Sequence, residues 1–208
     1  IAALTAAQIP SLTAGQIANL TNTQIAAIEV NDLALFDATQ IGALTATQAP
    51  ALTTAQVQGL TTAQFQALET ADLAAFTAGQ IAAIQNEDIA VLSGAQIGGL
   101  TAAQVQALTV TQIVTMTGAQ LAAIETADFA TMGTAQIVAI QAVDIPSLVQ
   151  AQIEALTYTQ VAALTTDQVA ALTVTQIGYM TMPAFAAGQL AVMSGAQLAA
   201  VDLVSPLI

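Results

Sequence analysis

The chain has 208 residues and contains no Lys, Arg, His, Cys or Trp, while 13 Asp and Glu residues give it a formal net charge of -13. The composition therefore lacks the imidazole, thiol and amine groups that most enzymes use as general bases and nucleophiles, and we expect no catalytic residues and no enzymatic activity. Nucleic-acid binding is not expected either, because a phosphate-binding surface needs clustered Lys and Arg.

The chain is hydrophobic without the pattern of a membrane protein. Hydrophobic residues make up 56% of it and the mean hydropathy is +0.74. However, Gln, Thr or an acidic residue interrupts every apolar run well before the roughly 20 residues that a spanning helix needs. We therefore expect no membrane insertion. Because the chain begins at Ile1 in the middle of a repeated pattern, we also expect it to be a fragment or a processed form of a longer protein.

An eight-residue repeat runs through most of the chain. Written as Leu-Thr-x-x-Gln-Ile-x-x from Leu4 onward, it has Gln or Asp at the fifth position in 22 consecutive repeats, of which 17 have Gln and five have Asp. The first and sixth positions are apolar, and the second is most often Thr. The pattern divides the chain into an octad tract, residues 1–181, and a terminal segment, residues 182–208, where the register breaks at Ala184 and repeats resume at Gln189 and Gln197.

Each octad carries its own signal for the start of a helix. Thr-x-x-Gln is a capping box, in which the Thr hydroxyl accepts a hydrogen bond from the backbone N–H three residues later and the Gln side chain accepts one from the Thr N–H. We therefore predict an all-α solenoid of very short capped helices, one per octad, with a helix over positions three to six and a bend at positions seven and eight. Pro10, Pro50 and Pro146 all fall at the seventh position, where they would end a helix.

A parallel β-solenoid is the alternative fold. Short repeats with inward columns of Leu and Ile also build such coils, and regular Gln could form stacked side-chain ladders. The abundance of Ala and Gln favours helices, because both are good helix formers and Ala is depleted in strands.

Five repeats carry Asp in place of Gln, and these repeats recur with a 56-residue superperiod, Asp32, Asp88 and Asp144 forming one series and Asp72 and Asp128 the other. The second position of the same repeats is Glu or Gln instead of Thr. The simplest interpretation is that Asp near a helix start interacts favourably with the helix dipole. Paired carboxylates are also candidate calcium ligands, since calcium binds six to eight oxygens, and the candidate residues are Glu29, Asp32, Glu69, Asp72, Glu87, Asp88, Glu125 and Asp128. No other cofactor is expected.

The Thr and aromatic residues are assigned by register. A regular row of Thr is a candidate surface for binding ice or a mineral, but a capping Thr already uses its hydroxyl. All five Phe lie at the first or sixth position and are predicted to be core residues. Tyr158 and Tyr179 lie outside those columns and are predicted to be surface or contact residues.

Several segments of the chain resemble a known kind of repeat tract. Leu-Thr-Ala-Ala-Gln-Ile (4–9), Leu-Thr-Thr-Ala-Gln-Val (52–57) and Leu-Thr-Thr-Asp-Gln-Val (164–169) are similar to the Leu-Thr-x-x-Gln octads of very large bacterial secreted and cell-surface proteins. Such proteins are described as adhesin-like or matrix-associated. The resemblance covers roughly residues 1–180, implies an extracellular or cell-surface structural role, and carries over no catalytic or binding residue.

These observations favour a structural repeat protein, used as a stalk or as the subunit of an extracellular fibre or filament. Stacked repeats gain stability from each neighbour and can lengthen without redesign, so we expect self-association end to end or laterally. The alternative is an adhesin or binding segment that presents a repeated surface to a receptor, matrix, glycan, calcium or ice.

Overall fold

The computed structural model describes residues 6–180 and 185–204, and every regular element in these residues is helical. The predicted all-α fold is therefore confirmed, and the β-solenoid alternative is wrong. None of the helices in the described ranges is both long and apolar enough to cross a membrane. The register break predicted at Ala184 lies outside the described residues.

The helices form two compact units, Ile1–Leu108 and Thr109–Ile208. In the first unit, Ile9–Ser11 and Ala49–Ala51 are short 3-10 helices. The α-helices described in this unit are α1 Ala14–Ala18, α2 Asn22–Ala26, α3 Val30–Leu33, α4 Ala38–Ile41, α5 Thr54–Gln58, α6 Thr62–Ala67, α7 Thr70–Ala74, α8 Ala78–Ala83, α9 Asn86–Val91, α10 Gly94–Gly98 and α11 Ala102–Ala107.

The second unit repeats the same construction. Ala142–Ser147 is a 3-10 helix that contains Pro146. The α-helices described in this unit are α12 Val110–Thr115, α13 Gly118–Ala123, α14 Thr126–Phe129, α15 Thr134–Ala139, α16 Gln150–Glu154, α17 Tyr158–Ala163, α18 Thr166–Ala171, α19 Val174–Tyr179, α20 Ala187–Leu190 and α21 Gly195–Val204.

The capping box starts the helices as predicted. In α8, Thr77 has extended backbone angles, its hydroxyl accepts from the N–H of Gln80 at 3.2 Å, and its own N–H donates to Gln80 Oε1 at 2.7 Å. The helix then continues to the eighth position of the octad and ends at Ile84, whose backbone is extended again. The predicted bend at positions seven and eight is therefore wrong for α8 and the other six-residue helices, whereas α3, α4 and α14 end at position six as predicted. The chain turns at positions one and two, because the capping residue and the apolar residue before it both adopt extended angles.

Proline at the seventh position changes the type of helix without changing the path of the chain. Pro10, Pro50 and Pro146 each lie in a 3-10 helix. Proline has no N–H to donate to the carbonyl four residues earlier, so the α-helical hydrogen bond is lost at this point. These repeats still end in an extended Leu and keep their place in the coil.

The apolar columns form the core of each unit. The first and sixth positions are buried through most of the described chain, and Phe36, Phe65, Phe76 and Phe129 are buried there. The core assignment of Phe185 is wrong, since it is half-buried. Phe185 follows the register break. The residue that comes directly after the next repeat glutamine, Gln189, is Leu190. Tyr158 is 67% exposed, as predicted, and Tyr179 is half-buried.

Within each unit the helices coil so that each one packs on helices three repeats away. In the first unit α8 contacts both α5 and α11, and in the second unit α15 contacts both α12 and α17. Hydrogen bonds from glutamine side chains reach the third and the fourth repeat before, as Gln64 does with Phe36 and Leu33. A superhelical turn therefore contains between three and four octads. Two turns contain about seven octads, which is the separation between aspartate repeats of one series.

Candidate functional site

The fifth-position glutamine joins two turns of the coil. In the repeat that contains α6, Gln64 Oε1 accepts from the N–H of Thr61 at 2.9 Å, which completes the capping box. The other end of the same amide, Nε2, donates to the carbonyl oxygens of Leu33 at 2.9 Å and Phe36 at 2.8 Å. One side chain thus caps its own helix and holds the end of a helix in the turn before.

This arrangement recurs as a ladder, which we call the glutamine ladder. Its members donate Nε2 to the carbonyls 31 and 28 residues earlier at 2.7 to 3.1 Å, and their side chains are buried. A net intramolecular hydrogen bond contributes about 0.5 to 1.5 kcal/mol, and a buried polar group left without a partner costs more. Both bonds are made by Gln40, Gln48, Gln56, Gln64, Gln80, Gln96, Gln104, Gln152, Gln168 and Gln176, among others.

The ladder continues after the register break. Gln189 donates to the carbonyls of Val161 and Leu164, which lie 28 and 25 residues earlier. Gln197 makes the equivalent bonds at the same two separations. These separations are three residues shorter than before the break, but the acceptors are again the carbonyls of a sixth-position residue and of the next first-position residue. The same contact is therefore made on both sides of residues 181–184.

The octad pattern predicts a capping glutamine, but it does not by itself predict the ladder. A signal for it was present, because a capping box accepts Glu or Gln equally, yet none of the 22 consecutive fifth positions is Glu. A carboxylate would satisfy the cap but cannot donate a hydrogen bond. The amide at 17 of the 22 fifth positions therefore indicates that a donor is needed there in most repeats, with the five Asp repeats as exceptions.

The aspartate repeats interrupt the ladder. Asp72 and Asp88 are 3% and 2% exposed, and the Oδ2 atom of each is buried without a hydrogen-bond partner. Burial raises the pKa of Asp72 to about 6, with a smaller contribution from Glu69. Burial likewise raises the pKa of Asp88 to about 6, and the neighbouring Glu87 adds to the effect. Asp32, Asp128 and Asp144 are only half-buried.

In two aspartate repeats, a side chain at another position donates a hydrogen bond to the turn before. The helix-capping residue of these repeats makes no capping bond through its side chain. Instead, Gln85 Nε2 donates to the carbonyl of Gln58 at 2.7 Å, and Gln141 Nε2 donates to that of Val114 at 2.6 Å. These bonds span 27 residues, so they join the same two turns as the ladder does. Glu29, Glu69 and Glu125 occupy this capping position in the other aspartate repeats, and an ionised Glu cannot donate.

The candidate calcium residues are divided between the surface and the interior. Their four glutamates are exposed, whereas Asp72 and Asp88 are buried. Among residues 6–180 and 185–204, no three acidic side chains come together in a group that could hold a metal ion. Calcium binding stays a prediction for the candidate residues Glu29, Asp32, Glu69, Asp72, Glu87, Asp88, Glu125 and Asp128.

Comparison with family models identifies the repeat. The model of the ALTTAQ repeat matches residues 25–62, 81–118, 121–158, 137–174 and 151–182, which together make up more than half of the chain. The chain belongs to the ALTTAQ repeat family. The Ala-Leu-Thr-Thr-Ala-Gln of residues 51–56 is the repeat in its plainest form, and its Thr and Gln are the capping and ladder residues described above. Comparison with curated proteins finds no match to this chain.

Proposed function

We propose that this ALTTAQ tract is a structural spacer of the cell exterior, used as a stalk or as a segment of a fibre. The observation that supports the proposal is the glutamine ladder, which repeats the same bonds from turn to turn within each compact unit. Every added octad of the Thr-x-x-Gln type brings its own cap, its own apolar pair and its own inter-turn donor. Such a tract can change length without a new core being needed.

The composition is consistent with a role outside the cell. The chain has no Lys or Arg and so offers no cleavage site to trypsin-like proteases. It has no Cys, so its stability does not depend on the redox state of its surroundings. The proposal includes no enzymatic activity, no resident cofactor and no nucleic-acid partner. Antibody labelling of intact cells of the source organism would test the location, and signal only after cell lysis would contradict it.

The spacer role is tested by changing the length of the tract. Residues 53–108 are seven octads, and a second copy of them inserted after Leu108 adds two superhelical turns to the design. We expect the maximum dimension measured by small-angle X-ray scattering to increase while helix content per residue stays constant by circular dichroism. A matched control insertion carries Glu at every fifth-position glutamine and should lower helix content. An insertion that leaves the maximum dimension unchanged would contradict the spacer role.

Fibre formation is tested separately, by electron microscopy of the purified chain at neutral pH. Long uniform fibres whose axial repeat matches the superhelical turn would support a polymer built by self-association. Dispersed particles would contradict the fibre and leave the monomeric stalk.

A binding segment is the second candidate function, and one observation favours it. Among the residues that the structure describes, the large exposed hydrophobic side chains are concentrated in the second unit, and Leu35 is the one that belongs to the first. Exposed apolar patches commonly mark interaction surfaces. Screening glycans, calcium and ice against the two units separately would test this candidate, and equal absence of binding would contradict it. The exposed residues of the second unit are Val110, Val114, Val138, Val143, Val149, Tyr158, Val174, Val192 and Leu198.

A further inference from the structure

Asp72 and Asp88 occupy ladder positions but have no donor to offer when they are ionised. The register of the glutamine ladder assigns to Asp72 the carbonyls of Ile41 and Leu44, 31 and 28 residues earlier. The same register assigns to Asp88 the carbonyls of Val57 and Leu60. No side-chain amide of the described residues donates to these four carbonyls. At both places the register therefore pairs a buried carboxylate oxygen with carbonyl oxygens. All of these atoms are acceptors, so no hydrogen bond can form between them while the aspartate is ionised.

The surroundings of both aspartates contain no positive charge and few acids. The chain has no Lys, Arg or His, so no ion pair can stabilise a buried carboxylate. Between residues 38 and 108 the only titratable side chains are Glu69, Asp72, Glu87 and Asp88. The helix α6, which packs against α9, carries none, and α10, which packs against α7, carries none either. In the turn before Asp72, the repeat of α4 contributes Asp37, which is exposed and caps that helix.

We propose that Asp72 and Asp88 are proton-operated locks between superhelical turns, which are weak when ionised and close when each side chain takes up a proton. A protonated aspartate has an O–H, which can donate to the carbonyls of the turn before as the glutamine amide does in neighbouring repeats. An ionised aspartate leaves its buried Oδ2 unpaired. Acidification therefore tightens the first unit, opposite to the response of proteins whose carboxylates are held in salt bridges.

The two locks differ in what supports them. The repeat of Asp88 keeps one inter-turn bond, because Gln85 donates to the carbonyl of Gln58. The repeat of Asp72 has Glu69 at that capping position and makes no side-chain hydrogen bond to the turn before. We therefore expect residues 69–76 to be the easier place for the first unit to open at neutral pH.

The direction of the pH effect follows from the raised pKa values. Both groups have a pKa of about 6 in the folded chain against an ordinary value of 3.8. A carboxyl group whose pKa is raised by folding stabilises the folded chain fully when the pH is below its ordinary pKa. This stabilisation is lost as the pH rises through its pKa in the folded chain. Between pH 7 and pH 5, each aspartate should lower the equilibrium constant for opening about tenfold.

Hydrogen exchange measured by mass spectrometry on the full chain tests the locks. Exchange at pH 7 and pH 5, corrected for the intrinsic rate, should show stronger protection of residues 61–92 at pH 5. The double variant Asp72→Asn, Asp88→Asn carries neutral amides and should lose this pH dependence. The control Asp167→Asn removes one exposed charge and should leave the pH dependence of residues 61–92 as in the unchanged chain. An equal pH response in the double variant and the unchanged chain would overturn the proposal.

A second measurement needs no substitution. The 13C chemical shifts of the aspartate carboxyl groups report their protonation directly in the unchanged chain. We expect the Asp72 and Asp88 signals to titrate with a pKa of about 6. Titration of both near the ordinary value of 3.8 would overturn the locks, whether or not the double variant folds.

Discussion

The side-chain amide of Gln64 donates a hydrogen bond of 2.8 Å to the carbonyl of Phe36, 28 residues earlier in the chain. This contact joins the capping box of one helix to the buried apolar residue that lies between α3 and α4 in the preceding turn. Local and long-range structure therefore depend on the same side chain. Most of the predictions below separate these two roles by changing one and keeping the other.

Replacing Gln64 by Glu keeps the acceptor for the Thr61 N–H and removes the donor to the preceding turn. We expect a loss of about 1 to 3 kcal/mol in the free energy of unfolding, because the carbonyls of Leu33 and Phe36 lose the amide donor and a carboxylate is buried in its place. Urea unfolding followed by circular dichroism at pH 7 measures it. Gln24→Glu is the matched control, since the hydrogen bonds of Gln24 all lie within its own capping box. Equal effects of the two substitutions would show that the inter-turn bonds contribute nothing.

The cap itself is tested at Thr61, whose hydroxyl accepts from the N–H of Gln64 at 3.3 Å. Thr61→Ala should cost about 0.5 to 2 kcal/mol, as is usual for a lost helix cap. Thr62→Ala changes the next residue, which is exposed inside the helix, and should be neutral or slightly stabilising because Ala is the better helix former. A Thr61→Ala variant as stable as the unchanged chain in thermal unfolding would remove the capping argument.

The apolar column is tested at the sixth position. Ile81 is 1% exposed, so Ile81→Asp places a charge in the core of the first unit with no cation in the chain to pair with it. We expect a loss of about 4 kcal/mol or more, seen as the loss of cooperative thermal unfolding. Ala82→Asp adds the same charge at the exposed neighbouring residue and should change stability by no more than about 0.5 kcal/mol. Cooperative melting of the Ile81→Asp variant at the original temperature would contradict the core assignment.

Two glycines at different positions of the octad should respond in opposite ways to alanine. Gly79 lies inside α8 with open space around the position of a β-carbon, so Gly79→Ala should stabilise by about 0.5 to 1 kcal/mol through helix propensity. At Gly59 the new β-carbon would collide with Cγ1 of Val30 in the neighbouring turn, so Gly59→Ala should destabilise. Adding Val30→Ala should restore much of the loss. Stabilisation by Gly59→Ala alone, measured by urea unfolding, would show that the two turns are further apart than described.

Association of the chain should increase as its negative charge is removed. With 13 acidic residues and no basic ones, copies of the chain repel one another at pH 7. Light scattering should rise as the pH is lowered from 7 towards the sequence pI of about 4.1. Added salt at pH 7 should produce part of the same rise by screening. Scattering that stays flat from pH 7 to pH 4 would contradict this charge-controlled association.

Most of the helix positions could be predicted from single octads. Thr77 and Gln80 lie three residues apart, so the capping box that starts α8 is complete within one repeat. The end of the helix was placed too early, because Ala83 is compatible with helix or loop and only the extended Ile84 shows where the helix stops. The site was harder to predict. Nothing near Asp72 distinguishes a surface aspartate from one buried between two turns.

The sequence by itself determined where helices begin and which columns are apolar, because capping and hydrophobic spacing act over eight residues. Tertiary structure alone decided which repeats meet, and with them the partners of Gln64, the close approach at Gly59 and the buried carboxylates of Asp72 and Asp88. The physical reason is that each octad contributes only a small turn of the chain. The position of a carbonyl 28 residues away depends on the sum of these turns over three to four repeats, and no single octad encodes that sum.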